Sequence, residues 1–223
     1  MNGKHRVHRI VLVFTCLAAI CRGVPVYGAE GREDASYRYN PQLFERSDRA
    51  RWQKVAEVVE AIGLREGHSI ADIGGGTGYF SRPFARAVGP RGVVYCCDIA
   101  TNLLDYLQER AKAENLNNIV TVYAALDRPM LPPASVDFIF FCNTNHHLED
   151  RVDYYKRLLP LLRPGGQLIV IDWTKKERDV GPPRGHVVAK TTVLEEMAAA
   201  GWQLVREEHF LDYQYFLVFQ PKR

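Results

Sequence analysis

Residues 70–80 read Ile-Ala-Asp-Ile-Gly-Gly-Gly-Thr-Gly-Tyr-Phe, an apolar run carrying an acid and followed by a glycine loop. Gly74, Gly76 and Gly78 are spaced G-x-G-x-G, and Asp72 stands two residues ahead of the first. Glycine leaves no Cβ in the way, so a flat ligand can approach the main chain. At a strand-to-helix junction this makes a nucleotide or nucleoside seat. A dinucleotide site uses G-x-G-x-x-G, with a helix N-terminus facing a pyrophosphate. The tighter spacing and the leading carboxylate suit a cationic, phosphate-free nucleoside better. The competing reading is a glycine-rich turn that holds no ligand.

Other polar groups stand at the ends of later apolar runs. Asp98 closes the run from Val93 to Cys97, where a carboxylate can accept both hydroxyl protons of a ribose. Asp127 follows the run from Ile119 to Ala124, and it reads either as a ligand contact or as a surface turn residue. Asn143 leaves the Phe-rich run Val136 to Cys142, ahead of the pair His146-His147. Imidazole titrates near neutrality, so either histidine is a candidate to take a proton from a substrate; the alternative is that they hydrogen-bond loop backbone. Adjacent histidines on a loop rarely chelate, and no carboxylate cluster accompanies them, so no metal is expected. His186, beyond Asp172 and Trp173, is a further acid–base candidate or part of a plain connection.

The glycine segment resembles the first motif of the class I S-adenosylmethionine-dependent methyltransferases. The resemblance runs from about Arg49 to Phe219, and also rests on Asp98 and on Pro164-Gly165-Gly166 before a late strand. It implies S-adenosylmethionine as cofactor, held by Asp72, Gly74, Gly76, Gly78, Asp98, Ile99, Asp127 and Asn143. Asp98 would be the ribose acid, Ile99 the adenine neighbour, and Asp127 the partner of the adenine amino group. The loop at Asp127 departs from the family's common Gly-Asp form. Asn143 would meet the methionine end, with His146 and His147 facing the acceptor as catalytic residues; related quinone-type enzymes often carry His-His or a similar pair there. The reaction implied is in-line methyl transfer to a small-molecule acceptor, of unidentified kind. Two rivals remain: a non-catalytic S-adenosylmethionine-binding protein, and an NAD-linked oxidoreductase, which expects G-x-G-x-x-G and a Tyr-Lys or His-Asp pair.

These residues need elements to position them, and the chain alternates helical and strand patterns. A helix capped by Ser47 or Asp48 carries Trp52, Val55, Val58, Val59 and Ile62 at helical spacing and ends near Gly63. Strands are expected at 69–73, 93–97, 119–124, 136–142 and 167–172. Helices are expected at 79–88 and 101–115, and from Asp150 until Pro160 shortens the last of these. Thr192 and Glu195 have capping-box spacing ahead of a helix ending at Gly201, and two closing strands follow at 203–210 and 213–219. Such strand–helix repeats predict a parallel sheet covered on both faces, an α/β fold. The resemblance specifies it as a Rossmann-like, seven-stranded, mostly parallel sheet with an antiparallel C-terminal strand. Tyr37, Tyr39, Phe44 and Trp52 are candidates for an aromatic lid over the cofactor, or for packing.

Residues 1–28 differ from the rest. Lys4, Arg6 and Arg9 precede an apolar run from Ile10 to Cys21, then a small-residue exit, the pattern of a secretory signal peptide. A polar extension, 29–46, then leads to the methyltransferase-like domain at 47–223. The expectation is export to a periplasm or medium if the leader is cleaved; otherwise the protein is membrane-associated through the leader alone, or cytoplasmic. The leader holds four of the 29 Lys and Arg residues and no Asp or Glu, so without it the 26 acids outnumber the bases by one. A near-neutral domain gives no sign of a nucleic-acid partner. Cys96, Cys97 and Cys142 show neither a disulfide framework nor metal spacing, and are expected as buried thiols. Oligomeric state is not encoded in any pattern here.

Overall fold

A computed structural model describes residues 37–222, so the leader and the start of the extension lie outside the described residues. Seven strands form one sheet: β1 (Ser69–Ile73), β2 (Val93–Asp98), β3 (Ile119–Tyr123), β4 (Val136–Cys142), β5 (Leu162–Trp173), β6 (Trp202–Glu208) and β7 (Gln214–Pro221). Their order is β3-β2-β1-β4-β5-β7-β6, with β7 antiparallel to both its neighbours and the other pairings parallel. The chain builds outward from β1 to β3, then returns to the other side of β1 for β4. That reversal leaves a crevice beyond the carboxyl ends of β1 and β4, the place where open α/β sheets bind ligands.

Both faces of the sheet are covered, as continuous apolar strands require. A short helix, α1 (Arg49–Gln53), leads into the first layer. There α2 (Val55–Ile62), α3 (Ser81–Val88) and α4 (Thr101–Ala113) supply Val58, Ile62, Phe84, Val88, Leu104 and Leu107. On the other face, α5 (Arg151–Leu158) and α6 (Lys190–Ala199) supply Tyr154, Tyr155, Leu158, Val193 and Met197. Strand β4 runs through the middle. Phe140 faces the first layer, its ring 5.0 Å from Phe80 and 4.9 Å from Phe84, while Phe141 faces the second. Cys96, Cys97 and Cys142, the three cysteines among the described residues, are buried free thiols, as expected. No helix among the described residues is long and apolar enough to cross a membrane.

Four local expectations are corrected. The helix expected from Ser47 or Asp48 through Ile62 is broken at Lys54, whose φ of 45° ends α1 before α2 begins. Tertiary contacts hold this break: Gln53 is buried against Gln214, and Lys54 donates to the Phe210 carbonyl at 2.6 Å. Asp48 occupies the N-cap position, but its carboxylate binds Arg46 instead of a helix N–H. Thr192 lies inside α6, which starts at Lys190 with Ala189 in the N-cap position, so the capping box does not form. Strand β5 starts earlier than expected, at Leu162. Its residues 163–166 bulge out between the pairs Val136–Leu162 and Phe138–Gln167.

The centre of β4 sets one stability test. Phe140→Ala should cost about 3–5 kcal/mol, read as a lower midpoint in urea unfolding, because the ring is wholly buried between two others.

Candidate active site

The glycine loop follows β1 and is pressed onto the ends of its neighbours. Gly74 donates to the Cys97 carbonyl at 2.7 Å, tying the loop to β2. Gly74 and Gly78 have φ of 68° and 74°, where side chains are strained. A Cβ at Gly74 would collide with Thr144, and one at Gly78 with Leu107. At Gly76 a Cβ would meet nothing closer than 3.5 Å, so this part of the loop has free space on one side. The Thr77 hydroxyl, buried between Gly76 and Gly78, has no hydrogen-bond partner among the described residues.

Asp98 fastens the loop. One carboxylate oxygen accepts the Gly76 N–H at 2.8 Å and the other accepts the Ala100 N–H at 2.9 Å. Burial raises its pKa, and the backbone N–H groups of Ala100, Gly76 and Ile99 oppose that rise. The carboxylate keeps acceptor capacity beyond these bonds, as a ribose hydroxyl requires. Ile99 is half-buried beside it and packs on the core layer beneath α5.

Asp72 lies under the loop and accepts the Ser81 hydroxyl at 2.6 Å. Burial pushes its pKa up to about 6, opposed by the Ser81 hydrogen bond and the Arg49 charge, with Asp98 adding to the rise. Sequence reasoning does not single out Arg49. Its guanidinium stacks 3.9 Å from the centre of the Tyr79 ring, beside the loop, and donates to the Phe44 carbonyl at 2.9 Å. Unlike Arg46, Arg82 and Arg86 nearby, it has no ion-pair partner among the described residues. The segment that carries it is held by a paired contact between Tyr39 and Asn102, and by Arg82, which bridges Glu45 and Glu114. Among the expected lid aromatics, Tyr39 and Phe44 pair edge-on, and Trp52 packs on Trp173 with ring centres 5.0 Å apart.

Asp127 sits in an exposed turn after β3, its carboxylate on Arg157 at 2.7 Å and near Arg128. Asn143, with φ of 59°, closes a ring of three amides. It donates to Gln53, Gln53 donates to Gln214, and Gln214 donates to Asn143, at 3.2, 2.9 and 2.5 Å. This ring joins α1, the end of β4 and the start of β7.

His146 and His147 belong to a single 3-10 turn, Asn145–His147, with ring centres 4.1 Å apart. Their environments differ. The His146 side chain is 4% exposed, and its Nδ1 lies 2.9 Å from an Asp172 carboxylate oxygen. Asp172 is 1% exposed and also accepts the backbone N–H groups of His146 and Trp173, at 3.1 and 2.8 Å. His147 is exposed on the other side of the pair. Its pKa is lowered, first by partial burial of the ring and then by His146. Sequence reasoning misses Asp172 as the partner of the histidines. The available signal is topological: Cys142 pairs with Ile171, so the next residues of these adjacent parallel strands emerge side by side. His186 lies in a turn of the loop beyond β5, close enough for its charge to bear on His147. Arg178 organises that loop by donating to the carbonyls of Thr174, Lys176 and Pro182. No cluster able to hold a metal occurs among the described residues.

Comparisons with known proteins agree with this arrangement. A family model described as "Methyltransferase domain" matches residues 70–166. The ubiquinone/menaquinone biosynthesis C-methyltransferase UbiE of Saccharophagus degradans is 30% identical over 121 residues, 54% of this chain and 49% of that one. Its counterpart in Pasteurella multocida is 31% identical over 121 residues, 53% of this chain and 44% of that one. The chain thus spans about half the length of the curated relatives it matches. A crystal structure of a SAM-dependent methyltransferase from Aquifex aeolicus superposes with a TM-score of 0.77 at 27% identity, covering 82% of this chain and 98% of that one. With the motif residues assembled on the expected seven-stranded sheet, residues 70–166 carry a methyltransferase domain, and the fold around them is that of the class I S-adenosylmethionine-dependent methyltransferases.

Proposed function

We propose that the chain binds S-adenosylmethionine over the glycine loop and transfers its methyl group to a small-molecule acceptor. The observation that carries this reading is the clasp between the Gly76 N–H and the Asp98 carboxylate. It fixes a ribose acceptor against a loop flat enough for an adenosyl group, at the crevice where the strand order reverses. The free space above Gly76 and the unpartnered Thr77 hydroxyl fit a ligand lying there. An oxidoreductase would require a pyrophosphate loop, and the G-x-G-x-G spacing does not supply one. The likeness to quinone C-methyltransferases supports a cyclic organic acceptor.

Within this reading each group has a part. When bound, S-adenosylmethionine supplies a methyl group on a cationic sulfur. Asp98 holds the ribose hydroxyls and Ile99 lies beside the adenine. Asp72, half-protonated near pH 6, ionises more readily when a cation approaches. Arg49 offers its guanidinium to the methionine carboxylate. Asn143, held within its amide ring, shapes the methionine end of the site instead of offering a free side chain. Asp127 has one carboxylate oxygen engaged by Arg157. Proximity and alignment in a dry crevice supply most of the rate. The basic and apolar pattern before residue 29 supports export of the mature chain, which mass determination of the N-terminus in fractionated cells would test.

Three measurements check the assignment. Asp98→Ala should weaken S-adenosylmethionine binding about 10–100-fold in titration calorimetry, the loss of about 1.4–2.7 kcal/mol from charged hydrogen bonds. Unchanged affinity would remove Asp98 from the ribose site. Arg49→Leu should weaken S-adenosylmethionine by about tenfold while leaving 5′-methylthioadenosine, which lacks the amino-acid end, unaffected. Equal losses for both ligands would place Arg49 elsewhere. The third concerns pH. The Asp72 pKa is raised in the free fold, and a bound cation nearby is expected to lower it toward its ordinary value. Binding below that raised pKa therefore releases a proton, and affinity should rise with pH through about 6 and level off above about 7. Asp72→Asn should flatten that rise, and neutral 5′-methylthioadenosine should show little of it.

A further inference from the structure

Asp172 is paired with His146 at the end of β5, and the pair is built differently from the rest of the loop around it. The carboxylate is almost wholly buried and accepts three N–H groups: the two backbone donors of His146 and Trp173, and the His146 ring at Nδ1. Those backbone bonds fix its orientation, so the carboxylate holds the imidazole with Nδ1 as the donor. The other ring nitrogen, Nε2, is then the acceptor, and it makes no hydrogen bond with any described residue. An acceptor nitrogen oriented by a buried acid is a general base in construction. His147 lacks such a partner. Its ring is exposed and lies tilted at 43° to that of His146.

We propose that His146 is the catalytic base of the transfer, that Asp172 is its positioning residue, and that the acceptor is a hydroxyl on an aromatic ring. This rests on the reading of the site as a methyltransferase. The acceptor class follows from the chemistry of the base. Imidazole near neutral pH gains little by deprotonating a thiol that is already partly ionised, and it cannot ionise an aliphatic alcohol to a useful extent. A phenolic hydroxyl, with a pKa of about 10, lies between: neutral in solution, but within reach of imidazole assistance. The step balances. The hydroxyl proton moves to His146 Nε2, the oxygen or its conjugated ring carbon bonds to the methyl carbon, and the carbon–sulfur bond breaks with its electron pair left on sulfur. On a ring carbon, the displaced ring proton is then lost to water. The imidazolium, steadied by Asp172, returns its proton to solvent.

Asp172→Asn and His146→Gln test this. The backbone N–H groups of His146 and Trp173 bond different oxygens of Asp172, so asparagine keeps only one of these bonds and removes the charge that holds Nδ1 as the donor, whereas glutamine at 146 removes the base itself. Methyl transfer is followed by mass spectrometry at pH 7.5 with two probes: p-cresol, neutral at that pH, and pentafluorophenol, already ionised. Both variants should bind S-adenosylmethionine as the native protein does. Their kcat on p-cresol should fall about 10–100-fold with KM little changed, and on pentafluorophenol by less than about threefold. Equal losses on both probes, or no loss on either, would overturn the base assignment. If Asp172→Asn does not fold, as judged by its circular dichroism melt, His146→Gln alone decides by the same ratio. Native protein that binds S-adenosylmethionine but methylates neither phenol would overturn the acceptor class while leaving the cofactor reading intact. Failure to bind S-adenosylmethionine at all would overturn the reading on which both rest.

Discussion

A single buried carboxylate, that of Asp98, holds the site together. Its two oxygens take one N–H from the glycine loop and one from the start of α4, so the ends of β1 and β2 and the helix that follows are fixed by one group. A buried carboxylate is costly unless hydrogen-bonded, and these bonds come from backbone that only a sharply turning loop can aim inward. The close approach at Gly74 and Gly78 is what lets the loop descend that far. Loop shape and acid are therefore one device, and the rest of the crevice is arranged around it.

The parallel sheet supplies the second half of the arrangement. Adjacent parallel strands end at the same height, so side chains distant in sequence leave them together. In this way residues 146 and 172 become bonded neighbours, as do 76 and 98. The two halves of the site differ in electrostatic character. The β1–β2 side presents acids, suited to a ligand bearing positive charge. The β4–β5 side presents imidazole backed by an acid, suited to moving a proton. Arg49 reaches across from α1, a positive side chain stacked beside the loop.

The elements legible from sequence are those governed by local apolar runs. The limits of β1 and β4 follow from short, mostly apolar runs, each carrying a single acid, and the glycine loop and Asp98 follow from spacing alone. What sequence does not reveal is set by distant partners. The break at Lys54 comes from contacts with residues 210 and 214, and nothing in the local spacing marks it. Arg49 reads as one more polar position on a helix surface, and becomes a site residue only because α1 turns its start toward Tyr79. Asp172 reads as the end of a strand until the order of strands is known. Asp127 shows the reverse case: the residue stands where the family places an acid, yet its carboxylate lies on Arg157.

The amide ring of Gln53, Gln214 and Asn143 has a bearing on how the protein is made. One of its three members belongs to β7, and another belongs to the helix that carries Arg49. During synthesis the glycine loop and its acid are complete once β2 and the start of α4 have emerged. The helix above them already meets Tyr79 through Arg49 and Trp173 through Trp52, but its C-terminal end at Gln53 is fixed only when β7, the last strand in chain order, is available. The amide ring is thus completed by that strand, and a chain interrupted before it would hold a formed loop under a helix whose last turn is unpinned.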